Sequence, residues 1–460
     1  MKKYRIEKDS MGQMRVPSRF YYGVQTARAV ENFPISGLRI PRQFIRALGL
    51  IKKHAAMANS QLKLLPAGMG LAIRQASQEV IAGRFDDQFV VDVFQTGSGT
   101  STNMNANEVI ARRATKLLRA KQRNLVVHPN DHVNRCQSSN DVFPSAIHIA
   151  TLESIDDKLL PALEELKLAL ADRAIRFAKI IKTGRTHLQD ATPIRLGHEF
   201  GGYASQISHG LARLKNVRGQ LAELALGGTA VGTGINAHPK FAALVIHGLA
   251  RETGLRLREA SNHFEAQAAR DACVATSGAL KSLAISLVKI ANDIRWMSSG
   301  PRLGLGEIKI PAVQPGSSIM PGKINPVICE MVLQVCAQVI GNDTAITFGA
   351  ASGNFELNVM MPIITYDLLQ SVEILASASH VFAKRCVVGI QADTKRCEDG
   401  LEQSLALCTA LTPHIGYDQA ARIAKIAYQE GKTVREVALQ ISGLPASTLN
   451  HLLDPHSQIK

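Results

Sequence analysis

Two adjacent hydroxyls, Ser317 and Ser318, sit between Pro315-Gly316 and Met320-Pro321-Gly322, and Lys323 and Asn325 follow closely. Glycine and proline break regular structure, so 315–326 reads as a loop. A loop can present a reacting serine and move it. A cation two residues from a carboxamide suits an anionic substrate. The chemistry such a set could do is removal of a proton beside a carboxylate. That step creates a dianionic aci-carboxylate, whose charge must be met by preorganised donors. Hydroxyls, amides, a lysine and helix N-termini can supply those donors without a metal. A serine is a poor base unless Lys323 or main-chain N–H groups assist it, and the sequence leaves that choice open. Glu330, seven residues past Lys323, could orient and charge a histidine or could be a solvated helix glutamate.

Three further polar stretches interrupt a chain otherwise rich in Ala and Leu. In Gln95–Asn103 (QTGSGTSTN), glycines let the backbone approach a ligand, and Ser98, Gly99 and Thr100 can point donors at an anion before the next helix. An ordinary loop and N-cap would read the same way. Next come His128-Pro129-Asn130-Asp131 and then Gln137-Ser138-Ser139-Asn140-Asp141. Ser138, Ser139 and Asn140 can hold a carboxylate at a helix start or serve as plain caps. In Gly184–Asp190, His187 beside Thr186 is a candidate acid/base or water-positioning group, because imidazole titrates near neutrality. A hydrogen-bonded structural histidine is the competing reading.

The elements that must position these stretches are mostly helices. From Leu152 the apolar positions run Ile155, Leu159, Leu163, Leu166, Leu170, and from Leu280 they run Leu283, Leu287, Ile290, Ile294. Such seams belong to helices packed nearly parallel. Long helices are predicted at 193–224, 263–298, 327–346 and 357–386, with others at 43–64, 71–83 and about 104–120. Pro144 is expected in the first turn of a helix. Few segments alternate with a period of two, and the first 45 residues read as irregular. The expected fold is all-α in three domains: 1–135, a central long-helix bundle 136–388, and a small helical unit 389–460. One chain makes only a slim bundle of such helices, so their spare apolar faces invite further copies.

Hydrophobic residues make up 46% of the 460, aromatics 5%, and the net charge is +15. The positive excess suits small dianions through the summed field. It suits nucleic acid less well, since the cations are scattered and the densest cluster, Arg112 to Arg123, has no interleaved aromatics. The cysteines (136, 273, 329, 336, 386, 397, 408) include no C-x-x-C pair or zinc-type spacing. They read as reduced thiols of a cytosolic protein, with no metal or other cofactor implied. The first residues, MKKYRIEKDSMG, lack the apolar stretch of a signal peptide. No run reaches the ~18 apolar residues of a membrane span.

Together these stretches resemble the fumarase/aspartase superfamily and, within it, the iron-free class II fumarases. The likeness extends through Arg5–Gly12, Tyr22–Thr26, Glu31–Pro34 and His414–Tyr417. The resemblance implies a homotetramer with a shared helical core and active sites each built from three subunits. It implies Ser317 as the general base at C3 of malate. It implies Ser98, Gly99, Thr100, Ser138, Ser139, Asn140, Thr186, Ser318, Lys323 and Asn325 as substrate binders, with His187 paired to Glu330 on the water side. His128, Asn130 and Asp131 match a second anion site. Two residues depart from the pattern: Leu125 stands where some relatives have arginine, and Cys136 where a small non-thiol residue is expected. An aspartate ammonia-lyase is the nearest alternative, but such enzymes typically carry Gln where His187 stands. A non-catalytic scaffold or nucleic-acid binder is a further alternative, and it predicts loss of the reacting groups.

Overall fold

The computed structural model describes residues 4–121 and 125–459. The end of the basic cluster at Arg123 lies outside them. The protein is 64% helical, and its strands form short two-stranded ribbons. The apolar seams are where the spacing put them: Ile155, Leu159, Leu163, Leu166 and Leu170 are buried, as are Leu280, Leu283, Leu287, Ile290 and Ile294. The helix carrying the second seam, Asp271–Met297, is long and apolar enough to cross a membrane, yet half of its most apolar stretch is packed inside the protein.

Contacts divide the chain into two compact units. The first comprises 1–161, 210–284 and 336–376, and the second 162–209, 285–335 and 377–460. The four divisions after residue 162 all fall within helices: Leu196–Leu221, Asp271–Met297, Val327–Ala351 and Met361–Arg385. Within the second unit the C-terminal segment has its own apolar cluster, including Leu407, Leu411, Ile423, Val437 and Leu453. Gly416 and Gly443, both with positive φ, make the turns expected there.

Four local expectations are corrected. The N-terminal stretch is not irregular. Tyr4–Asp9 and Gly12–Pro17 pair as an antiparallel hairpin, closed by Gly12 at φ 120° and by Met11 N–H donating to Asp9 Oδ1 at 2.9 Å. Helix Val24–Asn32 follows it without a capping side chain of its own. The Glu108 carboxylate fills that role from a distant helix, accepting from the N–H groups of Gly23, Gln25 and Thr26 at 2.8–3.1 Å. Pro144 lies inside helix Ser139–Ser154, because the cap forms earlier, at Ser138. The helix expected over 263–298 is broken into His263–Ala268 and Asp271–Met297. The fully buried Arg270 turns its guanidinium back onto the Ala266 carbonyl at the end of the first piece. The seam that begins at Leu152 also passes through a π turn, Ile155–Leu159, rather than one unbroken α-helix.

Candidate active site

In the first unit two helices start side by side, and each brings hydroxyls. Helix Thr100–Ala120 begins after Gly99, which is left-handed at φ 74° and brings no capping side chain of its own. The turn before it is set by close packing. A Cβ on Gly97 would lie 1.7 Å from the Val359 carbonyl oxygen, and one on Gly99 would lie 2.1 Å from the Phe143 ring. Only glycine fits either position. Gln95 ties the turn to the helix by accepting from Thr102 N–H at 3.0 Å and from its hydroxyl at 2.8 Å.

The second helix, Ser139–Ser154, is capped by Ser138 in a reciprocal box with Asp141. The Ser138 N–H donates to Asp141 Oδ1 at 2.9 Å. The other carboxylate oxygen, Oδ2, accepts from Gly227 N–H at 3.0 Å and Thr229 N–H at 3.1 Å. Burial pushes the Asp141 carboxyl up, and these three N–H donors pull it back down. Asp141 therefore pins the 227–229 loop against the helix start. Asn140 reaches the same loop through Ala230 O at 2.8 Å.

These two starts bring four sequence-predicted groups together. Ser98 Oγ lies 2.8 Å from Thr100 Oγ1, which lies 2.6 Å from Ser139 Oγ. Ser138 caps the helix that carries Ser139. The result is a row of hydroxyls gathered at two neighbouring helix starts, where the positive helix ends and the hydroxyl donors together make a seat for a carboxylate. The segment that leads into Ser138 holds Lys52, fully buried, with its ammonium 2.9 Å from Asn134 Oδ1 and 3.0 Å from Gln137 Oε1. Sequence reading passed over Lys52 because Lys52-Lys53 looks like a solvated pair. The signal available was its place on the apolar stripe of Leu48, Ile51 and Ala55.

His128 and Asp131 sit at the two ends of one turn, with His128 Nδ1 3.1 Å from both Asp131 N and Asp131 Oδ2. His128 and Asn130 line a cleft of about 840 Å³ together with Arg112, Lys116 and Arg119, three cations on one face of helix Thr100–Ala120. Leu125 is exposed nearby in sequence and brings no charge.

In the second unit His187 and Leu188 form the tip of a hairpin between Ile181–Thr186 and Gln189–Arg195. Both tip residues are left-handed, at φ 56° and 61°, as a two-residue hairpin turn demands. Neither is a glycine or asparagine, so the backbone is strained there. His187 and Thr186 are exposed. The base of the hairpin is held by a buried charge cluster. Lys182 Nζ lies 3.0 Å from Glu199 Oε1 and 2.8 Å from Glu307 Oε2, and Arg185 lies 2.7 Å from Glu307 Oε1.

The segment 315–326 is a loop, and helix Val327–Ala351 begins directly after Pro326. The loop closes on itself through Asn325 Nδ2 donating to Gly316 O. Ser317 Oγ accepts from Met320 N–H at 2.9 Å and from Ile319 N–H at 3.2 Å. Two N–H donors on one hydroxyl oxygen favour negative charge there, the main-chain assistance a serine base requires. Ser318 and Lys323 are exposed, while Ser317, Asn325 and Glu330 are half-buried. Among the described residues no hydrogen bond or ion pair joins His187 to Glu330. No group of three or more His, Cys, Asp or Glu side chains among them is placed to hold a metal ion.

Known proteins match this chain over nearly its whole length. Residues 12–341 fit a lyase family and residues 407–459 fit the fumarase C C-terminus. A class II fumarate hydratase of Halobacterium salinarum is 55% identical over 98% of this chain and 96% of its own length. The mitochondrial fumarate hydratase 1 of Arabidopsis thaliana is 50% identical over 99% of this chain and 93% of its own. The crystal structure of the class II fumarase from Schistosoma mansoni superposes with a TM-score of 0.96 at 38% identity, covering 98% of both chains. Sequence and fold agree from end to end rather than through one motif, and on that agreement the chain belongs to the family of class II fumarate hydratases.

Proposed function

We propose that the protein catalyses the reversible hydration of fumarate to L-malate, the step of the tricarboxylic acid cycle, in the cytoplasm. The observation that carries this reading is the hydroxyl row Ser98–Thr100–Ser139 over two helix starts, a seat for a carboxylate. Ser317, its oxygen facing two N–H donors, takes the C3 proton of malate. The dianionic aci-carboxylate that forms is held by hydroxyls, amides and Lys323, each donor contributing about 3 kcal/mol. Ser318, Asn325, Asn140 and Thr186 complete the binding set, and His187 with Glu330 handles the water or hydroxyl that leaves from the adjacent carbon.

The active form is a homotetramer with three domains per chain (1–135, 136–388 and 389–460) and sites assembled from three copies. The exposed His187 tip and the exposed Lys323 support this arrangement. The cleft lined by His128 and Asn130, with Asp131 in the same turn, is a second anion site, where Lys116 and Arg119 supply charge that Leu125 lacks while Arg112 pairs with Glu7.

The deciding experiment offers L-malate and L-aspartate separately and follows fumarate absorbance. Turnover of malate alone supports the reading, and turnover of aspartate would replace it with an ammonia-lyase. For the shared site, Thr100→Val and Ser317→Ala chains are unfolded and refolded together. Mixed assemblies should be more active than either parent. No gain would place the whole site within one copy.

A further inference from the structure

We infer that Lys52 is a positioning residue for the reaction: its buried side chain ties the two hydroxyl-bearing helix starts to each other and puts a positive charge beneath the seat of the substrate carboxylate. This inference rests on the hydratase reading above. Asn134 Oδ1, which accepts from Lys52, also accepts from Asn103 Nδ2 at 3.3 Å and Asn107 Nδ2 at 3.2 Å. Both of those asparagines belong to the helix that Thr100 begins. Gln137, the other partner of Lys52, directly precedes Ser138 and donates to Val133 O at 3.0 Å. Asn134 donates in turn to Gln137 O at 3.1 Å. Two turns further along the lysine's own helix, Asn59 donates to Arg135 O at 3.1 Å. One ammonium thus joins the 98–100 side of the seat to the 138–140 side through carboxamides alone. Hydrogen bonds from a charged donor are roughly twice as strong as neutral ones, so the join is firmest while the lysine keeps its proton.

That proton is lightly held. Burial draws the Lys52 ammonium down to about 7, against a smaller upward pull from the Asp141 carboxylate. The other acidic groups on the helices packed around it are engaged elsewhere. Glu79 pairs with Arg113, Glu153 with Arg46, and Glu252 with Lys53 and His54. Glu108 faces Gly23 to Thr26, and Asp131 faces His128. The charged form of Lys52 favours a bound dianion, so affinity should be highest below pH ~7 and fall as pH rises through it.

The test uses the full-length protein and succinate, an unreactive four-carbon dicarboxylate, as competitive inhibitor of malate turnover. Lys52→Met keeps most of the length of the side chain and removes the charge. It should raise KM for malate and Ki for succinate together by about tenfold or more, with kcat changed less. The ratio of the variant's Ki to the wild type's should shrink from about pH 6 to about pH 8.5, because the wild type loses its charge over that range. A ratio near one, or one that stays constant with pH, would overturn the inference. If Lys52→Met does not fold, the half-buried Gln137→Leu removes one acceptor of the ammonium. It should move the midpoint of the succinate profile to lower pH, and an unmoved midpoint would equally overturn the inference. A wild type that turns over no malate defeats the hydratase reading, whereas these comparisons bear on Lys52 alone.

Discussion

Thr100 lies at the centre of the hydroxyl row, and replacing it with valine removes one oxygen while keeping the shape. The row has three protons, one on each of Ser98, Thr100 and Ser139, and its two contacts use two of them. In the free protein, therefore, one proton at most can point outward. A carboxylate entering the seat turns hydroxyls toward itself, and each hydrogen bond to a charged acceptor is worth about 1.5–3 kcal/mol. Thr100→Val deletes the middle donor, but it frees the Ser98 and Ser139 protons to turn outward, which offsets part of the loss. The net cost belongs near the lower bound, about 1.5–2 kcal/mol, or a fall in kcat/KM of roughly 10- to 30-fold. Initial rates of fumarate formation from malate would measure it, with circular dichroism to confirm an unchanged fold. A rise in KM means that Thr100 holds the spectator carboxylate equally before and during reaction, and a fall in kcat means that it holds the carboxylate that becomes dianionic. A kcat/KM within about twofold of wild type, in a correctly folded variant, would refute the idea that this row is where substrate charge is met.

Ser317→Ala should leave the fold and assembly intact and lower kcat by about a thousandfold or more; an unchanged kcat would remove Ser317 from the mechanism. Lys182→Met leaves the half-buried Glu199 without a cation and the buried Glu307 with Arg185 alone, so resistance to thermal unfolding should fall by the equivalent of about 3 kcal/mol. Adding Glu307→Gln should recover part of that loss, and a double variant no better than the single one would count against the charge cluster. Cys136 sits two residues before Ser138, and maleimide should inactivate the wild type but spare Cys136→Ala. Equal inactivation of both proteins would acquit this thiol and direct attention to Cys408, which is less buried than the other cysteines.

Much of this site could be read in advance because its parts announce themselves locally. The 95–103 and 137–141 stretches combine glycines or caps with hydroxyls immediately before helical patterns, and helix starts follow from local chemistry. The long seams from Leu152 and Leu280 repeat for enough turns to fix a helical core. Other features depend on partners distant in sequence. Helix Val24–Asn32 is capped by Glu108, which no window around residue 24 contains. The hairpin carrying His187 is hidden because its tip residues, His187 and Leu188, are not those that favour left-handed turns. Pro144 misled because Pro is most at home in a first turn, and here the capping box at Ser138 starts the helix earlier. Lys52 stayed silent for a related reason: its acceptors, Asn134 and Gln137, lie more than eighty positions away.

The hairpin tip has a further consequence. Holding a bulky residue left-handed costs about 1–2 kcal/mol, and two such residues stand in succession at 187 and 188. Among the described residues no hydrogen bond from the same chain repays either of them, and Leu188 is two-thirds exposed at 66%. If another copy covers that tip, a newly synthesised chain carries a cocked but idle trigger until its sisters arrive. Enzyme output would then lag behind translation, and extreme dilution would silence the catalyst abruptly while each helix stayed wound.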